Sequence, residues 1–134
     1  MAFSIDPDDR RPLYLQIMDE VRRARLLGLI SPDEPLPSVR QLAANLRINP
    51  NTVAQAYREL EREGVVRVQR GQGTFLTTVD GAVLSDDRIL LAQGVARRAL
   101  ADAIRNGLTA EMLVEAIRQA DRALSQTTPD ESRD

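Results

Sequence analysis

The dipeptide Asn49-Pro50 is the feature that most restricts how this chain can fold. Proline is disruptive inside a helix but well placed in its first turn, where its missing N–H would find no partner anyway. Asparagine just ahead of it is a good N-cap, so a helix is predicted to start there. Val53, Ala56, Tyr57 and Leu60 follow at i, i+3, i+4 and i+7, which gives that helix one apolar side, and Gly64 ends it. Upstream, Ser38 is a second cap, with Val39, Leu42, Ala43 and Leu46 on the buried side of a shorter helix. Only Arg47-Ile48 is left for the turn between them, and Ile48 is its single apolar offering to the core.

The side of the second of these helices away from its apolar stripe carries Asn51, Gln55, Arg58 and Arg62. Amide and guanidinium forks match adenine and guanine edges in the major groove of DNA. A solvated helix face would have a similar composition. The position of this one, just after a tight turn and a capped short helix, favours the groove-reading alternative. Past Gly64, residues 65–68 read as a strand, Arg70-Gly71-Gln72-Gly73 as a hairpin tip and residues 74–78 as the return strand. The two glycines permit positive φ and close approach to a surface. With Arg67 and Arg70 beside them, the hairpin has the makeup of a wing that follows the minor groove or its phosphates.

An earlier helix is predicted from Arg11 or Pro12 to Gly28, with Leu13, Ile17, Val21 and Ala24 at helical spacing and Tyr14, Met18 and Arg25 alongside. Pro32, Pro35 and Pro37 keep the next segment extended, with one short strand at most. After Asp80-Gly81 two more helices are predicted, residues 84–106 and 110–124, split by Gly107 and capped by Thr109. The first bears an alanine stripe of Ala92, Ala96, Ala99 and Ala103 beside Leu100 and Ile104. The second bears Leu113, Ile117, Ala120 and Leu124. So short a hairpin cannot bury enough apolar surface alone, which predicts a homodimer interface made of these ten residues, the alternative being that the helices pack back on the winged domain of the same chain. The polar stretch 126–134 is expected to be a disordered tail.

Charge supports this division. The chain carries a net −2, yet residues 35–78 hold six Arg against three Glu, a local +3 where phosphate would be met. Cysteine and histidine are absent, which removes thiolate and imidazole from any site, and the acids do not converge. No enzyme, metal or cofactor is expected. The N-terminus lacks a signal-peptide pattern and no long apolar run occurs, so a cytoplasmic protein without membrane contact is expected.

Leu36-Pro37-Ser38-Val39-Arg40, Leu42-Ala43, Thr52-Val53, Leu60, Gly64 and Gly71-Gln72-Gly73-Thr74-Phe75 together resemble the winged helix-turn-helix of the GntR transcription regulators. The run Asn49-Pro50-Asn51-Thr52-Val53 with Ala56-Tyr57 resembles their short YtrA-type branch. The resemblance covers roughly residues 10–78. It implies DNA contacts from Ser38, Arg40, Asn49, Asn51, Thr52 and the Gly71–Gly73 wing. Gln55 stands where that branch often has a basic residue, and residues 31–35 form a stiffer, more acidic loop than is usual in the family.

The expectation is thus a mainly α protein with a small β wing. Residues 1–80 would form the winged helix-turn-helix, 81–125 a dimerising helical region and 126–134 a tail. Its function would be that of a dimeric repressor that reads a near-palindromic operator in double-stranded DNA. The DNA-contacting set adds Gln41, Gln55, Arg58, Arg62, Arg67 and Arg70 to the residues above. An unknown small-molecule effector has room at the helical interface or between helices and wing, without a residue cluster to specify its chemistry. The alternative is a winged-helix module that binds protein, which predicts an apolar patch on the helix after Asn49.

Overall fold

A computed structural model describes residues 3–78 and 81–127, except for the side chains of 82–84 and 127. The described elements run α1 (Leu13–Leu26), α2 (Val39–Leu46), α3 (Pro50–Arg62), β1 (Val66–Gln69), β2 (Gly73–Leu76), α4 (Gly81–Arg105) and α5 (Ala110–Thr127). They divide into two compact units, Met1–Gly94 and Val95–Asp134. Helix α4 starts three residues before the predicted Leu84 and ends at Arg105 rather than Asn106, and its residues up to Gly94 belong to the first unit.

In the first unit α3 lies at the centre, packed against α1, α2 and β1. Ile17, Val21, Leu42, Val53, Leu60 and Leu76 are its largest fully buried side chains. The predicted apolar side of α3 is buried throughout, and Val39, Leu46 and Ile48 pack partly buried on the same core. Two details of α1 differ from the sequence reading. Pro12 has extended backbone (ψ 143°) and is the N-cap, so the helix starts one residue later. Leu13, in that first turn, is 37% exposed, and its predicted place in the core falls to Gln16 and Met18. Burying Gln16 is workable because its Oε1 accepts from the Asp6 N–H (2.9 Å) and its Nε2 donates to the Asp9 carbonyl. The N-terminal strap is thereby tied down over α1, with Phe3 and Ile5 against the core.

The hairpin is antiparallel, with Val66 opposite Leu76 and Gln69 opposite Gly73; β1 lies one residue later than predicted, and β2 starts one residue and ends two residues earlier. The proline-rich segment supplies its one short strand as a single bridge between Pro35 and Phe75, with Leu36 N–H donating to Thr74 O (2.8 Å). From the middle of α3, Tyr57 Oη donates to Pro37 O at 2.6 Å, and burial pushes its phenol well above the usual tyrosine range. Wing, α2 cap and α3 therefore all hold the segment Leu36-Pro37-Ser38. Tyr57→Phe, which removes only this bond, is expected to lower stability by about 1 kcal/mol. An unchanged denaturation midpoint would show that the bond contributes nothing.

In the second unit α5 runs through Thr127, past the predicted end at Leu124. Gln126 and Thr127, assigned to the tail by sequence, are helical. No glycine or proline intervenes before Pro129, so nothing local stops the helix earlier. The remainder of the predicted tail, 128–134, lies outside the described residues. Gly107 (φ 76°) ends α4, and Thr109 Oγ1 accepts from Met112 N–H as the cap of α5.

Candidate nucleic-acid interface

Helix α2 starts with a reciprocal cap. Ser38 Oγ accepts from Gln41 N–H (3.1 Å) and Gln41 Oε1 accepts from Ser38 N–H (2.9 Å). Both polar side chains are thus partly committed to holding the helix end, and Arg40 beside them is exposed. Asn49 plays the same part for α3, its Oδ1 accepting from Asn51 N–H at 2.8 Å. The side chains of Asn51, Gln55, Arg58 and Arg62 all lie on the exposed face of α3, and Thr52 is half-buried. Arg62 differs from the other three in pairing with Glu59 along its own helix. That pairing draws its guanidinium back along the last turn.

On the wing, the Arg67 guanidinium stacks over the Phe75 ring, 4.9 Å from its centroid, and donates to Gln69 Oε1 at 2.9 Å. Arg67 is therefore held as part of the ribbon, whereas Arg70, Gly71 and Gln72 form its exposed tip. Gly73, at φ 126°, closes the turn with its Cα toward Pro35, and a Cβ there would stand 3.4 Å from the proline ring. Since Pro35 pairs with the wing and Ser38 caps α2 three residues later, the wing base and the first turn of α2 are neighbours by construction. The exposed stripe of α3 is joined to both through Tyr57. All fourteen sequence-predicted contact residues belong to this one compact unit.

The family profile "Bacterial regulatory proteins, gntR family" matches residues 13–76, the span from α1 to the end of the wing. The HTH-type transcriptional repressor YtrA of Bacillus subtilis (strain 168) is 36% identical over 115 residues, covering 86% of this chain and 88% of that protein. This chain belongs to the GntR family. A crystal structure of a transcriptional regulator from Oenococcus oeni is similar at TM-score 0.57 and 34% identity, over 90% of this chain and 96% of that one. YtrA from Sulfolobus acidocaldarius, a GntR-family transcription factor, is similar at TM-score 0.56 and 29% identity, over 72% and 99%. Like them this GntR protein is a DNA-binding transcription regulator with a winged helix-turn-helix, of the YtrA-type resemblance seen in its Asn49–Val53 run.

Two features of the GntR unit were not foreseen from sequence. Arg25, on the last turn of α1, reaches Asp87 of α4 with Nη2 at 2.8 Å, both side chains almost wholly buried (5% and 6% exposed). Its Nη1 donates to Thr77 Oγ1 (3.1 Å), which in turn donates to Gly64 O (2.6 Å), while Nε is buried without a partner. Separately, Arg11 bridges Asp9 and Asp19, and Arg22 joins Asp19 to Glu63 just past α3. The only sign of the first in the sequence was Arg25 falling beside the apolar stripe of α1. Among the described residues no cluster of side chains could hold a metal ion, and no helix is long and apolar enough to cross a membrane.

Proposed function

We propose that the protein is a homodimeric repressor that reads a near-palindromic operator, with α3 in the major groove and the wing at the adjacent minor groove or its phosphates. The observation that carries the reading is the polar face of α3. Asn51, Gln55 and Arg58 are exposed opposite a fully buried apolar stripe, as a row of amide and guanidinium forks suited to base edges. Ser38, Arg40 and Gln41 flank it from α2, and Arg67, Arg70 and Gly71–Gly73 from the wing. Arg62 is the weakest member of the set because of its bond to Glu59.

Dimerisation rests on the second unit. Among its described side chains only Ala103 is buried, while Val95, Leu100, Ile104, Leu108, Met112, Val114, Ile117 and Leu124 are exposed. Of the predicted interface set, Ala99 and Leu113 are half-buried, and Ala92, Ala96 and Ala120 are open to solvent. Helices that leave so much apolar surface uncovered fit a second copy on a two-fold axis, which also accounts for a symmetric operator. The relative from Bacillus subtilis is named a repressor, which supports that sense of regulation.

Footprinting on the region upstream of the gene tests the proposal. Protection of two half-sites related by a dyad is the expected result, and no protected sequence would end it. Asn51→Ala and Arg58→Ala should each remove about 1–3 kcal/mol of discrimination at one base position. If both variants keep the wild-type base preference, α3 does not read bases with this face.

A further inference from the structure

Four helices of this protein end in the same backbone motif. The residue after the C-terminal turn has left-handed φ, and the following N–H reaches back five residues to a helix carbonyl: Leu29 to Ala24, Ile48 to Ala43, Val65 to Leu60 and Leu108 to Ala103. Three of the four left-handed positions are glycine: Gly28 at φ 67°, Gly64 at 78° and Gly107 at 76°. The fourth is Arg47 at φ 58°, the one non-glycine residue with positive φ among those described. Left-handed backbone is unfavourable for any residue with a Cβ, and for an arginine nothing local offsets it. Among the described helix ends with this motif, the chain thus meets the need with glycine except in the turn between α2 and α3.

That exception lies inside the helix-turn-helix of the proposed DNA surface. Arg47 is exposed at the C-cap of α2, the helix whose first turn bears Arg40, and two residues ahead of the Asn49 cap of α3, the helix that bears Asn51 and Arg58. We infer that Arg47 is a further DNA-binding residue, a phosphate contact at the helix-turn-helix turn, retained there against the conformational preference of its own backbone. Departure from a favoured φ at an exposed functional turn is the pattern expected where strain is tolerated for function. A competing explanation is that the guanidinium offsets the negative end of α2, whose last turn has no basic residue. The two differ in what glycine does to stability.

The inference rests on the DNA-binding reading above, and the test separates the two. Full-length wild type, Arg47→Gly and Arg47→Lys are titrated against a labelled mixed-sequence DNA duplex over a range of salt concentrations, and each is melted at equal protein concentration. Arg47→Gly is expected to bind about ten-fold more weakly at low salt, with a salt dependence flatter by about one counterion per subunit, and Arg47→Lys to retain most of both. Its melting temperature should hold or rise by a few degrees. Equal binding and an equal salt slope for wild type and Arg47→Gly would overturn the inference, and so would a fall in melting temperature, which would make Arg47 a helix-end device. A wild type that binds no duplex at all would instead sink the DNA-binding reading itself.

Discussion

Asp87→Ala is expected to destabilise the protein by about 3–5 kcal/mol, because it strips the partner from a buried guanidinium. Arg25 and Asp87 are nearly solvent-free and 62 residues apart in sequence. With Asp87 gone, Arg25 keeps a single neutral partner, the Thr77 hydroxyl, and its Nε already lacks one. Asp87→Asn should cost less, since an amide oxygen still accepts from Nη2. Chemical denaturation at fixed protein concentration measures both, which matters because association contributes to apparent stability. A loss below about 1 kcal/mol for Asp87→Ala would mean that water reaches Arg25 and the pair is effectively a surface one. The pair has a positional consequence as well. It joins the end of α1, the end of β2 and the start of α4, so loosening it frees the first turns of α4 from the winged unit.

The second large effect concerns the exposed apolar face of α4 and α5. Ile104 and Ile117 are 64% and 54% exposed, so a charge at either position meets only water within its own subunit. Ile104→Glu combined with Ile117→Glu should leave the fold of the first unit intact and yield a monomer in sedimentation. Affinity for a two-half-site operator should fall by about 10²-fold or more, as one tethered contact becomes two independent ones. A single winged unit should still protect a half-site at high concentration. Should the double variant remain a dimer with full affinity, the C-terminal helices are not the interface.

The elements of this protein were legible because their signals are local. Asn49-Pro50 and Ser38 are caps whose chemistry is complete within four residues, and the bonds they imply are formed, with the return bond from Gln41 to Ser38 added by the structure. The α3 stripe could be divided into buried and exposed halves because helical periodicity places every fourth residue on one side. The wing followed from two glycines in a row of β-branched residues, with strand limits shifted by one or two residues because hairpin hydrogen bonds choose the register. The Leu13 and Gln16 exchange was missed for a related reason: an apolar residue in the first turn can point past the core, and a glutamine can enter it if a strap brings partners. Likewise nothing near Leu124 signals where α5 ends.

The sequence by itself determined the order of helices, their caps, the polar face of α3 and the excess of apolar residues in the last two helices, since each depends on residues a few positions apart. Only the tertiary structure decided that Arg25 meets Asp87 and Thr77, that Tyr57 grips Pro37, and that Arg67 lies on Phe75. Each of these joins groups brought together by packing of separate elements, and such pairs leave no periodic trace in the chain. Tertiary structure also decided that the turn at Arg47 is left-handed, because that angle is imposed by how α2 and α3 must meet rather than by the residue that occupies it.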